Sequence, residues 1–134
     1  MTIAPDVGDT VYVPGFDQTG PVTEYVGDWA LVQLDGATAA KRADELVVPS
    51  KHGKMRWRTR MWDPGEGQPD ESREMAERWA DGVVLEKHGM YGDEVRLDPD
   101  SGAVMVRSEN AIATVVDPGG RKAELARAVA RVKQ

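Results

Sequence analysis

The chain has no cysteine, one phenylalanine, one asparagine and two histidines among its 134 residues. Without cysteine there are no disulfides, no thiolate nucleophile and no thiolate-held structural zinc, which suits a reducing cytoplasm or a particle assembled there. No apolar run approaches the roughly eighteen residues that cross a bilayer, and the opening MTIAPDVGD lacks the basic and apolar stretches of a signal peptide. His52 and His88 sit among polar residues, and no nucleophile elbow surrounds the nearby Ser50. Nothing therefore signals a base held against a nucleophile. The glycines follow neither the Walker nor the dinucleotide-binding spacing. Asp98, Asp100 and Ser101 lack the glycine and distal glutamate of a calcium loop, so DPDSG reads as a hairpin turn. The expectation is a protein with no catalytic residues, no cofactor and no metal.

What is present is charge, unevenly placed. The net charge is −6, which argues against a general nucleic-acid binder. Residues 1–50 hold eight acids and two bases, whereas 51–69 hold five bases and two acids, and 121–134 five bases and one acid. The segments between, 70–82 and 83–120, are acidic. Eleven arginines against six lysines, with only two isoleucines, indicate a high-GC bacterial genome or a virus of such a host.

The patterning is mostly that of short strands. Thr10 to Val13 is a β-rich run ended by Pro14-Gly15, and Val22 to Val26 and Trp29 to Leu34 flank a Gly27-Asp28 turn. Alternation in the latter puts Trp29, Leu31 and Gln33 on one face and Ala30, Val32 and Leu34 on the other. After Asp35-Gly36 come short strands at Ala39 to Arg42 and Leu46 to Val48, the last closing the set before Pro49. In the connector that follows, Met55 to Met61 alternates as a strand, with Met55, Trp57, Thr59 and Met61 on one face and Arg56, Arg58 and Arg60 on the other. DPGEGQP (63–69) breaks structure. Asp70 caps a helix over about 70–81 with Met75, Ala76, Trp79 and Ala80 as its apolar stripe, and Gly82 is its C′ residue. Val83 to Lys87 is a strand, Glu94 to Asp98 and Ala103 to Arg107 form a hairpin, and Ala111 to Val116 is the last strand. After the turn at 117–120, Leu125, Ala128, Val129 and Val132 keep helical spacing over about 119–133.

A weak internal repeat overlays Gly8, Asp9, Val11, Gly20, Val22 and Asp35 on Gly92, Asp93, Val95, Gly102, Val104 and Asp117 with one gap. Two unrelated hairpins sharing turn residues give the same matches.

Gly8, Asp9, Val11, Val13, Gly20 and Val22, within GDTVYVPG and TGPV, resemble the opening of KOW-type and other SH3-like small barrels. The likeness covers residues 7–49 and is one of fold. It implies a small β-barrel that contacts RNA or protein, although the matching loop, Phe16-Asp17-Gln18-Thr19, is acidic rather than basic. The expected fold is mainly β with two short helices: an SH3-like barrel over 1–50, a basic connector over 51–82 with its helix, and a second small β unit over 83–134 with a C-terminal helix.

Arg56, Trp57, Arg58, Arg60 and Trp62 are the foremost candidate site, since three guanidinium groups and two indoles suit phosphates and bases or an acidic protein surface. The alternatives are an edge strand guarded by charge, or arginine stems lying on apolar surface. Arg127 and Arg131 add a basic side to the C-terminal helix, whose apolar stripe suits its own sheet or a neighbour better than a membrane. Tyr12, Phe16, Tyr25 and Trp29 read as barrel core, with an aromatic cage for a cation as the other possibility. Basic segments pairing with acidic barrels within or between chains suggest a non-enzymatic assembly or adaptor protein, of the kind that builds rings and tubes, and a phage virion component in particular. A KOW-like nucleic-acid module using Arg56, Arg58 and Arg60 is the alternative, and a small regulator or inhibitor of one protein target is the third.

Overall fold

The structure, a computed structural model, describes residues 2–61, 70–116 and 123–133, and of residues 60 and 61 the backbone alone. Trp62, the break expected over 63–69 and the turn expected over 117–120 lie outside the described residues. Among the described residues the fold is mainly β, with two sheets and three helices.

The first sheet is an antiparallel meander, β1 (Thr10–Val13), β2 (Gln18–Val26), β3 (Trp29–Leu34) and β4 (Ala37–Lys41), in that spatial order. Ala30, Val32 and Leu34 face inward with Val11, Val13, Val22 and Ala39, as the alternation of β3 requires. Gly20 lets β2 pass close to β3, since a Cβ there would run into the carbonyl oxygen of Gln33. The sheet curls enough that Lys41, at the end of β4, lies 5.8 Å over the ring of Phe16 in the β1–β2 turn.

A 3-10 turn (Ala43–Glu45) then brings the chain back to the free side of β1. Tyr12 N donates to Val47 O at 3.0 Å and Val47 N to Tyr12 O at 2.9 Å. The strand expected over 46–48 to close the first set does so through Val47 alone. Its continuation, β5 (Val48–Pro49), instead pairs in parallel with β9 (Ala111–Val116) of the second sheet. That sheet has the order β5-β9-β8-β7-β6, with β6 (Val83–Val84), β7 (Glu94–Leu97) and β8 (Val104–Ser108). Through Val47 the two sheets form one hydrogen-bonded ladder running from β4 to β6.

Helix α1 (Lys51–Met61) overturns the strand expected over Met55 to Met61. Ser50 is its cap: the hydroxyl accepts from Gly53 N at 2.9 Å and donates to Ile112 O at 2.9 Å. Gly53 lies so close to β9 that a Cβ would enter the carbonyl oxygen of Ile112. Helix α2 (Glu71–Asp81) is capped by Asp70, which accepts from Arg73 N. Gly82 ends it in extended conformation, not in the left-handed conformation of a C′ glycine; its constraint is space, since a Cβ there would lie 3.0 Å from the Cβ of Arg96. Helix α3 (Ala123–Lys133) buries Leu125, Ala128 and Val129.

Three cores follow. One fills the first sheet; one lies between the second sheet and α3, with Val95, Leu97, Val104 and Val106 against Leu125 and Ala128. The third joins everything: Tyr12 and Val47 from the first unit, Trp57 of α1, Met75 and Trp79 of α2, and Met105, Ile112 and Val115 of the second sheet. Ala113 is an extra residue in β9 opposite the Val106–Arg107 step, and this bulge turns Ile112 and Val115 to the same side. The basic segment is thus part of the central packing rather than a spacer. The proposed repeat does not hold in register: Val11 pairs with Gly20, whereas Val95 pairs with Val106 and Gly102 sits in the turn.

Candidate interaction surface

Helical geometry disperses the arginine row. Residues two apart on a helix point to widely separated sides, so Arg56 and Arg58 do not share a face. Arg58 lies 3.8 Å from the Glu71 carboxylate, and the side chain of Arg60 is not among those described. Trp57 is buried at 3% exposure, and its Nε1 donates to the Glu74 carboxylate at 2.9 Å. It is a core anchor and cannot stack a base. Arg127 is exposed on α3, and Arg131 donates to Glu86 O at 2.9 Å, tying α3 to the segment after β6. Because α1 packs on one face of the second sheet and α3 on the other, the candidate arginines are not brought together.

The first unit's aromatics divide in the same manner. Tyr12 is core, as expected; Phe16, Tyr25 and Trp29 are surface residues. Trp29 is 41% exposed, with the Arg42 guanidinium 5.0 Å over its ring, and Phe16 lies under Lys41. Phe16 and Trp29 meet different cations and the Tyr25 hydroxyl donates to Pro5 O, so these rings do not share one cation. Burial and the hydrogen bond to Asp17, 2.7 Å from the hydroxyl, push the Tyr12 phenol above its ordinary value. Burial raises Tyr25 too, helped by Asp6 and Asp9.

Much of the remaining polar chemistry is bound up in joints. Arg96 lies between the rings of Trp79 at 4.7 Å and Tyr12 at 5.5 Å, and donates to Trp79 O and to the Glu94 carboxylate, the latter at 2.6 Å. It walls a crevice of about 280 Å³ between the two units. Asp98, buried, accepts from Asp100 N and from the Ser101 hydroxyl, and Arg78 spans it and Asp100. The guanidinium occupies the place of a cation at this turn. His88 Nδ1 accepts a local bond from Met90 N. No group of three His, Cys, Asp or Glu among the described residues is placed to hold a metal ion, and none of the described helices is long and apolar enough to cross a membrane.

Beside a crevice of about 510 Å³ between the N-terminal segment and the start of α1, where Asp6 and Asp9 face Lys51 and Lys54, two kinds of outward feature stand out among the described residues. One is a crevice of about 500 Å³ where Asp17 and Asp35 of the first unit face Glu77 and Asp81 of α2, with no basic residue among its described lining residues, although Arg73 pairs with Glu77 at 3.1 Å. The other is the pair of ladder ends. Strand β4 offers Ala37, Thr38 and Ala40 exposed, and β6 offers Val83 at 39% and Val84 at 49% exposure. Among the described residues neither edge is hydrogen-bonded to a further strand. Sequence reasoning missed both edges. Small residues in ATAAK and the brevity of DGVV were the available signals, but strand order has no local signature.

The chain matches no family model, no curated protein and no solved structure.

Proposed function

We propose that this chain is a non-enzymatic assembly or adaptor protein acting through protein contacts, foremost with copies of itself, and that its first unit is a small barrel of SH3-like type. The curled four-stranded meander, returning through a 3-10 turn to the free side of β1, supports the barrel reading. The observation that carries the functional reading is the separation of charge on one molecule. An acidic crevice of Asp17, Asp35, Glu77 and Asp81 lies apart from the exposed bases of α1 and α3. Lys54 and Arg58 of α1 already pair within the chain, with Asp9 and Glu71; the exposed Lys51, Arg56 and Arg127 are left to meet the acidic crevice of another copy, a heterologous contact of the kind that builds rings or tubes. A virion component assembled in the cytoplasm of a high-GC host fits this reading and the composition.

The nucleic-acid alternative keeps only part of its basis, because Trp57 is in the core and Arg56 and Arg58 diverge. Light scattering on the nucleic-acid-free protein over a dilution series tests the choice. Assembly predicts a mass that grows with concentration. If the protein stays monomeric throughout and instead retards RNA or DNA in a salt-dependent way that an Arg56/Arg58/Arg60→Glu variant loses, the nucleic-acid reading replaces it.

A further inference from the structure

We infer that the outward face of α1 in one copy docks into the acidic crevice of the next, with Met55 entering between its two acidic sides and Lys51 and Arg56 meeting them. This rests on the assembly reading above and names its contact.

The helix dictates which side chains face out. Gly53 and Trp57, one turn apart, form the buried seam of α1 against β9 and the central core. At 3.6 residues per turn the position opposite that seam is Met55, with Lys51 to one side of it and Arg56 to the other. Met55 is accordingly 55% exposed, a large apolar side chain amid bases. The sequence of α1 contains no acidic residue. Lys51 and Arg56 are exposed, and unlike Lys54 and Arg58 they are in no ion pair with a described residue.

The crevice is built the opposite way. Asp17 and Asp35 stand on one side of it and Glu77 and Asp81 on the other, with Ala80 half-buried in its lining. Asp17 accepts from the Tyr12 hydroxyl and Glu77 is held by Arg73. That leaves the carboxylates of Asp35 and Asp81, one from each side, without an ion pair among the described residues. Two available acids and an apolar residue in the crevice thus answer two available bases and an apolar residue on α1.

Charge commits each surface to the other. Two copies of the α1 face would oppose bases to bases and two crevices acids to acids, so neither surface pairs with itself. A molecule cannot close the contact alone, because its own α2 meets α1 at Trp57, on the seam side, while Met55 points the other way. Helix α3 is the poorer occupant. Arg131 is tied to Glu86 O, and Arg127 has Glu124 one turn before it and only Ala123 and Ala130 as apolar neighbours on its face. The contact joins two different surfaces, so it propagates from copy to copy.

Two full-length variants test it by exchange of charge, Lys51→Glu/Arg56→Glu on α1 and Asp35→Lys/Asp81→Lys in the crevice. All four positions are exposed, and unchanged urea midpoints show that both variants fold. Each alone should need about tenfold more protein than the parent to gain mass in light scattering, since like charges then face each other. An equimolar mixture should assemble near the parent's concentration, because the α1 face of each variant is complementary to the crevice of the other. Met55→Asp, at a residue outside every core cluster, should weaken assembly by itself, and Arg127→Glu should not. If either charge variant alone assembles like the parent, if the mixture gains no mass, or if Arg127→Glu is the substitution that abolishes growth, the contact is overturned and assembly stands. Should a charge variant shift its midpoint, Met55→Asp decides: parent-like growth overturns the contact. A parent chain that remains monomeric at every concentration overturns both.

Discussion

The single asparagine shows how much one side chain carries. Asn110, buried in the β8–β9 turn, accepts from Ile3 N at 2.9 Å and donates to Ile3 O and Ala43 O at 2.6 and 2.9 Å, so it ties the N-terminal segment and the 3-10 turn to the second sheet. Asn110→Ala should destabilise the fold by about 1–2 kcal/mol, because the half-buried N–H and C=O of Ile3 lose their partner while Ala43 O keeps its bond from Leu46 N; the urea midpoint measures it. Gly53 makes the opposite kind of demand. Alanine ordinarily favours a helix by roughly 1 kcal/mol over glycine, yet Gly53→Ala should destabilise by about 1–3 kcal/mol because the methyl meets the Ile112 carbonyl. An unchanged or raised midpoint would show that α1 does not approach β9 so closely. The phenols of Tyr12 and Tyr25 are both raised in the folded state. The folded chain holds these protons more tightly than the unfolded one, so the stabilisation is fully present below the unfolded value of about 10 and is lost as pH rises through the folded values. The urea midpoint should fall as pH climbs past about 10, and a Tyr12→Phe/Tyr25→Phe variant should fall less. None of these three roles was legible beforehand: a glycine needed for close approach and an asparagine used as a tie look like any other turn or loop residue.

At the scale of elements, what was legible was local. The alternation of β3, the hairpin around DPDSG, the bounds of β9 and the Asp70 cap of α2 all follow from period and turn chemistry, and the mainly β class follows from them. The failure at α1 has a definite cause. Met55, Trp57, Thr59 and Met61 mimic a strand's period, but only Gly53 and Trp57, one helical turn apart, are buried among the described residues of α1. The competing signal was Ser50, an N-cap residue following Pro49. Ser50→Ala should lower stability by about 1–2 kcal/mol, since the hydroxyl serves both Gly53 N and Ile112 O; Ser50→Asp should recover the cap but not the bond to Ile112 O. Equal midpoints for Ser50→Ala and the parent chain would mean that the cap contributes nothing. β5 went astray for a related reason: two residues with β propensity specify a strand but not the sheet that receives it.

For the whole molecule, the decisive features are long-range. Tyr12, Trp57, Trp79 and Ile112 meet in one core although they come from four elements spread over 101 positions of sequence, and the candidate interaction residues whose side chains are described scatter because α1 and α3 lie on opposite faces of one sheet. Charge segregation was visible in the sequence, and the surfaces that display it were not. The structure adds a ladder with two ends, and contact between copies is the proposed step from a fold to a job. Hydrogen exchange on the unmodified chain at low and high concentration addresses that step directly. Amides of β1, β3, β8 and β9 should be protected at both concentrations, while amides on the surfaces that meet between copies should exchange fast when dilute and slow markedly when concentrated. Exchange that is the same at every concentration throughout the described residues would contradict assembly between copies.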